Sequence, residues 1–216
     1  MSIGSAARAR LEAGLIKLEQ PHLIEPLLAY LALLVKWNRV FNLTAVREPE
    51  DMVQRHLLDS LVVLPWIQGA RLLDVGSGAG LPGIPLALAL PDLQVVLLDS
   101  NGKKARFLRQ AKLELGLTNI DVAEARVEAY APDEPFDLIC SRAFAQLDVF
   151  ISMTDALLAT DGRWLAMKGR LDDSELAAID PADFKVRTHR LRVPGLDAER
   201  HLVEVARTKT NVTASV

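Results

Sequence analysis

A short stretch that combines glycines with a carboxylate is the clearest candidate ligand site in this chain. Residues 72–83 read LLDVGSGAGLPG, with Asp74 shortly before the first glycine, Gly76. Glycines in a loop that follows a strand and opens a helix allow a tight turn and a close approach of the backbone to a ligand. A second carboxylate, Asp99, ends the next apolar run, where it can accept hydrogen bonds from both hydroxyls of a ribose. Loop and carboxylate together predict a bound adenosine compound.

Two classes of adenosine compound fit such a loop. Gly78, Gly80 and Gly83 match the dinucleotide pattern GxGxxG, so NAD is one alternative. Pro82 removes an amide donor that a pyrophosphate could use, and the charge of Asp74 would repel a pyrophosphate. S-adenosylmethionine carries a sulfonium and an ammonium but no phosphate, so a nearby carboxylate favours it. We therefore predict S-adenosylmethionine as the cofactor and no metal ion. We expect Asp74 to act on the cofactor directly or through the loop; the alternative is that it only caps local backbone amides.

Hydrophobic periodicity predicts the elements that position this loop. From residue 71 onward, short apolar runs alternate with amphipathic stretches such as Lys103–Leu115 and Phe144–Leu158, which is typical of a parallel sheet built from strand–helix–strand units. The predicted strands are Arg71–Val75, Gln94–Asp99, Ile120–Ala123, Phe136–Ser141, Arg163–Lys168, Phe184–Leu191 and Arg200–Ala206. The last two have no helix between them and predict an antiparallel hairpin at the sheet edge.

The residues before the sheet are predicted to be helical, because leucines recur there at helical spacing and Pro49 opens a third helix. We predict an N-terminal helical extension over residues 1–68, a Rossmann-like domain over 69–208 and a flexible tail over 209–216. The order hydrophobic–Asp–Val–Gly–x–Gly–x–Gly, followed by Asp99, resembles that of class I methyltransferases. This resemblance implies an α/β fold with a mostly parallel seven-stranded sheet and an antiparallel terminal hairpin.

Composition narrows the location and the chemistry. The chain has 216 residues, a net charge of −3 and a single cysteine. No run reaches the roughly 18 apolar residues that a membrane span needs, and no apolar secretory signal opens the chain, so we expect a cytoplasmic protein without a membrane partner. An acidic chain argues against a dedicated nucleic-acid binder but leaves a local basic surface open. Cys140 lies in an apolar run, which favours a core residue over a nucleophile.

The segment after the fourth predicted strand limits the substrate. It reads ICSRAF over residues 139–144 and lacks the Asn/Asp-Pro-Pro-aromatic box of amine methyltransferases. Guanine N7 has a lone pair and bears no proton, so its methylation depends on alignment and needs no general base. Such a substrate suits a sequence in which no general base is evident.

Motifs spread over nearly the whole chain stand in one characteristic order. They are Trp37–Thr44, Arg55–Ser60, Asp74–Pro85, Leu98–Ser100, Lys104–Leu108, Ser141–Phe144, Lys168–Gly169 and Glu199–Leu202. Together they resemble the RsmG (GidB) family of bacterial small-subunit rRNA methyltransferases. The resemblance implies transfer of a methyl group to N7 of a guanine in the decoding-region loop of 16S rRNA. It implies 16S rRNA or the small ribosomal subunit as the partner, and we expect a monomer that does not act on DNA.

The candidate cofactor residues come from both lines of reasoning. The resemblance carries over Gly76, Leu81, Val127, Glu128 and Arg142. The physical argument adds Asp99 for the ribose, together with Asp74 and Gly78 of the loop.

Two basic residues are the catalytic candidates. Arg142 could pair with the cofactor carboxylate or orient guanine O6, or it could form a structural ion pair. Lys168 could meet RNA phosphate or the rim of the site, or it could be a solvated surface lysine. Phe144 could stack on the guanine or pack in the core.

Polar residues of the extension and two basic clusters complete the candidates. Those of the extension are Asn38, Arg39, His56 and Asp59, which could help close the cofactor pocket or tie the extension to the sheet. The basic clusters are Lys103, Lys104, Arg106, Arg109 and Lys112, and Arg187, Arg190, Arg192 and Arg200. Each cluster could contact RNA phosphates or be a solvated surface.

Three other functions remain open from the sequence. One is a class I methyltransferase for another RNA or a small molecule. The second is an NAD-dependent oxidoreductase, and the third is a non-catalytic RNA-binding or assembly factor with the same fold.

Overall fold

A seven-stranded mixed sheet forms the centre of the computed structural model, which describes residues 3–142, 144 and 146–208. The strands are β1 (Arg71–Val75), β2 (Gln94–Leu98), β3 (Ile120–Ala123), β4 (Phe136–Ser141), β5 (Leu158–Lys168), β6 (Phe184–Arg190) and β7 (His201–Arg207). Their order across the sheet is β3-β2-β1-β4-β5-β7-β6. The first five are parallel, and β7 pairs antiparallel with both β5 and β6. The predicted mostly parallel sheet and its antiparallel terminal hairpin are therefore confirmed.

Helices precede the sheet and connect its parallel strands. They are α1 (Ser5–Lys17), α2 (Ile24–Phe41), α3 (Pro49–Met52), α4 (Asp59–Leu61), α5 (Gly83–Ala89), α6 (Gly102–Glu114), α7 (Leu147–Thr154) and α8 (Asp173–Ala177). A π-helical segment, Val53–Leu58, joins α3 to α4, so the third helix expected near Pro49 is formed but underwound in its middle. Single 3-10 turns lie at Pro21–Leu23, Leu64–Trp66, Val127–Ala129 and Asp155–Leu157. No helix in the described part of the chain is long and apolar enough to cross a membrane.

Strand β5 differs most from its predicted bounds, because it begins at Leu158 rather than Arg163. Leu158 pairs with Phe136, whereas Arg163 pairs with Leu138, so the ladder shifts register between these two pairs. The irregular part contains the Asp-Gly pair at residues 161–162. This pair is a turn signal, so the hydrophobic pattern does not predict the first half of the strand.

Two hydrophobic clusters cover the two faces of the sheet. The first contains Leu165 and Met167 of β5 together with Leu31 and Leu34 of α2, so the N-terminal helices pack directly on the sheet. The second contains Trp164 and Ala166 of β5 with α7. The first cluster contains residues from both sides of residue 69, so the predicted boundary between extension and Rossmann-like domain stays a prediction. The expected tail, 209–216, lies outside the described residues.

Candidate active site

Three glycines of the loop after β1 adopt backbone angles that favour glycine. The φ angles are 71° at Gly76, 59° at Gly78 and 85° at Gly80, all in the left-handed region. The amides of Gly76 and Ser77 donate to the carbonyl of Leu98 at 2.8 and 3.1 Å, which ties the loop to the end of β2. The loop therefore turns back over the carboxyl end of the sheet, where open α/β sheets bind ligands.

Asp74 lies under this loop and is fully buried. Its Oδ2 accepts a hydrogen bond from the Gly83 amide at 3.0 Å, at the start of α5, and its Oδ1 lies 3.8 Å from the Cys140 Sγ. Burial raises the pKa of Asp74 to about 6, although the Gly83 amide opposes the shift. These contacts correspond to the capping interpretation. Asp74 has no exposed surface from which it could face and repel a pyrophosphate, and its action on a cofactor through the loop stays a prediction.

Asp99 is the carboxylate that faces the loop from β2. Its Oδ2 accepts from the Gly78 amide at 2.9 Å, and its Oδ1 accepts from the Asn101 amide at 2.8 Å. Lys104 Nζ lies 3.6 Å from the same Oδ2. A carboxylate has about four acceptor positions, so Asp99 keeps capacity for further donors while it holds the loop.

A cavity of about 330 Å³, here termed the glycine-loop pocket, opens beside Asp99. It is lined by Val75, Gly76, Leu98, Asp99, Ser100, Lys104, Ala125, Arg126, Val127, Glu128, Phe144 and Met153. Four of the candidate cofactor residues thus come together: Gly76, Asp99, Val127 and Glu128. Leu81 does not join them, because its side chain is buried in the first hydrophobic cluster.

Tyr30 of α2 supports the loop from the other side, which sequence reasoning missed. Its buried hydroxyl donates to the carbonyl of Ala79 at 2.5 Å. Burial raises the pKa of Tyr30, so the hydroxyl keeps its proton. The leucines around Tyr30 indicated a core position, but no local pattern reveals a partner 49 residues away.

Phe144 lies between the glycine-loop pocket and an open groove of about 900 Å³, here termed the strand-end groove. The groove is lined by Arg142, Phe144, Gln146, Met167, Lys168, Gly169, Arg170, Leu171, Asp172, Asp173, Ser174 and Glu175. The Phe144 ring also contacts Phe150, with centroids 5.2 Å apart. It therefore packs against α7 and borders both cavities.

Lys168 is not a solvated surface lysine, since its side chain is only 10% exposed. Its Nζ donates to the carbonyl of Phe144 at 3.0 Å and to Glu175 Oε1 at 2.6 Å. Lys168 thus ties the segment after β4 to α8. Glu175, which the sequence did not single out, is its anionic partner.

Arg142 forms the structural ion pair that was one of its two interpretations. Its Nη1 donates to Asp59 Oδ2 at 3.4 Å and to the carbonyl of Arg55 at 3.1 Å. The other oxygen of Asp59 accepts from Arg200 Nε at 2.8 Å. Burial raises the pKa of Asp59, and the two arginines oppose this shift. Arg142 borders the strand-end groove and does not line the glycine-loop pocket.

Two polar residues of the extension, Asn38 and His56, make their hydrogen bonds within the extension. The Asn38 side chain donates to the carbonyl of Val46 at 3.0 Å and accepts from the Thr44 amide at 2.9 Å. His56 Nε2 lies 2.8 Å from the Thr44 hydroxyl. Burial lowers the pKa of His56 to about 4, and the nearby charge of Arg142 adds to this. Of the polar candidates in the extension, Asp59 ties the extension to the sheet through Arg142 and Arg200, whereas Asn38 and His56 hold the extension together and Arg39 is exposed.

The first basic cluster is partly neutralised by acidic neighbours. Arg109 pairs with Glu124 at 2.9 Å, and Lys112 pairs with Asp121 at 2.8 Å. Of the second cluster, Arg187, Arg190 and Arg192 are exposed, whereas Arg200 is directed to Asp59. RNA contact by either cluster stays a prediction.

The sheet order and the glycine-loop pocket define the class I methyltransferase fold. A predicted O-methyltransferase from Agrobacterium tumefaciens has a similar structure, with a TM-score of 0.56 at 25% identity, covering 70% of this chain and 79% of that one. The O-methyltransferase TomG from Streptomyces achromogenes, solved in complex with SAM, has a TM-score of 0.57 at 17% identity and covers 83% and 89% of the two chains.

Sequence comparison identifies the family within this class. The model of the GidB family, rRNA small subunit methyltransferase G, matches residues 23–203, and the chain belongs to this family. The Ribosomal RNA small subunit methyltransferase G of Methylobacillus flagellatus is 55% identical over 197 residues, 90% of this chain and 95% of that protein. The protein of the same name from Pseudomonas syringae is 56% identical over 185 residues, 85% and 86% of the two chains. The resemblance seen in the sequence is confirmed, and the oxidoreductase alternative is excluded.

Proposed function

We propose that this chain transfers a methyl group from S-adenosylmethionine to N7 of a guanine in the decoding-region loop of 16S rRNA. The observation that carries the proposal is the position of Phe144, which borders the pocket beside Asp99 and the open groove alike. A donor in the pocket and a base in the groove would meet at this ring. Membership of the rRNA small subunit methyltransferase G family supports the choice of substrate.

The residues of the glycine-loop pocket fit S-adenosylmethionine. Asp99 retains acceptor capacity for the ribose hydroxyls, while Val127 and Glu128 border the same cavity where the adenine would lie. A Cβ atom on Gly78 would have the Gly76 carbonyl, at 3.8 Å, as its nearest neighbour, so there is room beside the loop. Gly76 would approach the ligand with its backbone.

Two further cofactor candidates act through the loop in this proposal. Asp74 holds the start of α5 through the Gly83 amide, and Leu81 packs in the core below. Neither residue needs to touch the cofactor to affect its binding, because a displaced loop would no longer be complementary to the cofactor. Arg142 and Lys168 are assigned to the base and its flanking backbone, since both border the strand-end groove.

The bound cofactor supplies an electrophilic methyl group on a sulfonium. Its transfer to the N7 lone pair would exchange an S–C bond for an N–C bond and leave the positive charge on the guanine ring, with no proton to remove. The chain's part is to align the two reactants and exclude water. Phe144 is suited to stacking on the base, and Lys168 fixes its carbonyl.

The titratable groups near the site agree with this base-free chemistry. The pKa of His56 is lowered to about 4, so the ring is neutral at pH 7 and its Nε2 is already engaged with Thr44. Burial raises the pKa of the Cys140 thiol, which keeps it protonated and makes it a poor nucleophile. None of these side chains is needed to remove a proton.

The partners follow from the same proposal. We propose 16S rRNA, naked or in the small subunit, as the substrate, and a cytoplasmic monomer that does not act on DNA. Exposed cations near the sheet end, such as Arg126 and Arg170, support contact with an RNA backbone.

Labelled-methyl transfer tests the proposal. Small subunits from cells that lack this enzyme would be incubated with the chain and S-[methyl-³H]adenosylmethionine, and the product would be mapped to single-nucleotide resolution by cleavage at N7-methylguanosine. We expect one labelled guanosine in the decoding-region loop of 16S rRNA. Label at another atom, in another RNA or in a small molecule would favour the alternative class I methyltransferases.

A further inference from the structure

A third cavity, here termed the arginine pocket, lies between the N-terminal extension and the ends of β4 and β5. It has a volume of about 300 Å³ and is lined by Val46, Arg55, His56, Asp59, Arg142, Met167, Lys168, Gly169, Leu191, Arg200 and His201. Four of these residues are cations at neutral pH, and the anions that face them are Asp59 in the lining and Glu175, the partner of Lys168. The pocket therefore carries an excess of positive charge that an anionic ligand would neutralise.

The geometry around Asp59 leaves guanidinium donors available. Asp59 accepts from Arg142 Nη1 and Arg200 Nε, so one carboxylate holds two arginines from separate strand ends. Within the described residues, Arg142 donates only through Nη1 and Arg200 only through Nε and Nη1, so Nη2 of each has no acceptor. Arginine donors fixed in this way recognise phosphate oxygens well, because the guanidinium presents several N–H groups in one plane.

The arginine pocket is continuous with the proposed substrate site. It shares Arg142, Met167, Lys168 and Gly169 with the strand-end groove, and the groove meets the glycine-loop pocket at Phe144. The three cavities are therefore adjacent in this order: the glycine-loop pocket for the methyl donor, the strand-end groove for the base, and the arginine pocket. A nucleotide whose base lies at Phe144 would have its backbone directed past Arg142.

We infer that the arginine pocket binds a phosphodiester of the RNA substrate next to the methylated guanosine. This inference rests on the proposed function and adds to it the group that fixes the position of the base. Asp59 acts as a positioning residue here, since it holds the side chains of Arg142 and Arg200 at the pocket. Its single negative charge cannot neutralise both guanidinium groups.

Arg55 offers a clean test, because its charge can be removed without disturbing the pocket's framework. Its backbone carbonyl accepts from Arg142 and His56, whereas its side chain is exposed and makes no hydrogen bond in the part of the chain that the structure describes. Arg55→Gln removes one cation and keeps both backbone contacts. Lys17→Gln, at the exposed end of α1 and outside the arginine pocket, is the charge-matched control.

Steady-state methyl transfer to undermethylated small subunits would be measured at several KCl concentrations and constant Mg²⁺. For Arg55→Gln we expect KM for subunits to rise about three- to tenfold, kcat to stay near wild type, and the salt slope of log KM to fall by roughly one. Calorimetric affinity for S-adenosylmethionine should be unchanged, since Arg55 does not line the glycine-loop pocket. Lys17→Gln should match wild type.

The possible results distinguish a wrong assignment of the arginine pocket from a wrong proposed function. Wild-type transfer together with an unchanged KM and salt slope for Arg55→Gln would overturn the pocket assignment alone. No transfer by the wild-type chain would overturn both. Titration with inorganic phosphate distinguishes a free phosphate ligand from a phosphodiester of the RNA. Saturable micromolar binding that Arg55→Gln abolishes, together with an unaffected KM for subunits, would assign the pocket to free phosphate and reject the RNA backbone.

Discussion

At the scale of single residues, the two carboxylates of the glycine loop have different tasks although they lie close together. Asp74 is fully buried and directed at the Gly83 amide, whereas Asp99 borders the glycine-loop pocket. A change at Asp74 would therefore act mainly on the fold, and a change at Asp99 mainly on the ligand. Asp99 is the better residue for testing the cofactor site.

Asp99→Ala should weaken S-adenosylmethionine binding by about 10- to 100-fold. The variant loses hydrogen bonds to a charged acceptor, each worth about 1.5–3 kcal/mol, and releases the Gly78 amide. Calorimetric titration measures the effect, with Asp121→Ala as the control, because Asp121 is exposed and pairs with Lys112. Unchanged affinity in Asp99→Ala would refute its role at the ribose.

His56 should make the stability of the protein depend on pH. Its pKa is about 4 in the folded chain against 6.5 in the unfolded chain, so the unfolded state binds a proton first as the pH falls. The stability that the neutral ring contributes is fully present above pH 6.5 and is lost progressively down to pH 4. The difference in pKa corresponds to about 3 kcal/mol.

Comparison of wild type with His56→Gln isolates this contribution, which is needed because Asp74 acts in the opposite sense. The raised pKa of Asp74, about 6, makes the folded state bind its proton first, so Asp74 favours folding as the pH falls through the same range. We expect the free-energy difference between the two proteins to be largest at pH 7 and to shrink towards pH 4. Urea denaturation at several pH values measures it. A difference that does not vary with pH would contradict the assignment.

At the scale of elements, α2 and the glycine loop are joined by the Tyr30 hydroxyl. Tyr30→Phe would leave the Ala79 carbonyl without this buried donor, at a cost of about 1–3 kcal/mol in the free energy of unfolding. Because the loop borders the glycine-loop pocket, S-adenosylmethionine affinity should fall as well. Tyr130→Phe is the matched control, since the hydroxyl of Tyr130 donates no hydrogen bond within the described ranges. Full affinity and stability in Tyr30→Phe would show that the contact does not order the loop.

Sequence patterns predicted those elements whose signal is local. The strand β1, the glycine loop and Asp99 were found because apolar periods, glycines and a carboxylate stand in a fixed order, and β5 was only half predicted because an Asp-Gly pair interrupts it. Contacts between distant segments gave no such signal. Arg142 and Asp59 are 83 residues apart, so whether Arg142 would meet Asp59 or a ligand could not be settled without the fold.

At the scale of the whole molecule, the extension and the sheet share one hydrophobic cluster. Tyr30 and Leu34 from the extension belong to the same buried set as Leu72 and Leu165 from the sheet. Asp59 adds a polar connection, since its partners Arg142 and Arg200 lie at the ends of the sheet strands. Elements that are buried against each other in this way lose their core contacts together, so a boundary near residue 69 need not be a boundary of folding.

We therefore expect the extension and the sheet to unfold in one transition, and the tryptophans can report on this separately. Trp66 lies in the extension and Trp164 in β5, where its indole donates to the Thr154 hydroxyl at 2.8 Å. In variants that retain only Trp66 or only Trp164, the others being replaced by Phe, fluorescence should give each variant a single urea midpoint that coincides with its own far-ultraviolet circular dichroism. The shared cluster is the physical reason, because exposure of either part would expose the apolar face of the other. A Trp66 signal that changes at a clearly lower urea concentration than the dichroism would show that the extension unfolds independently and forms a domain of its own.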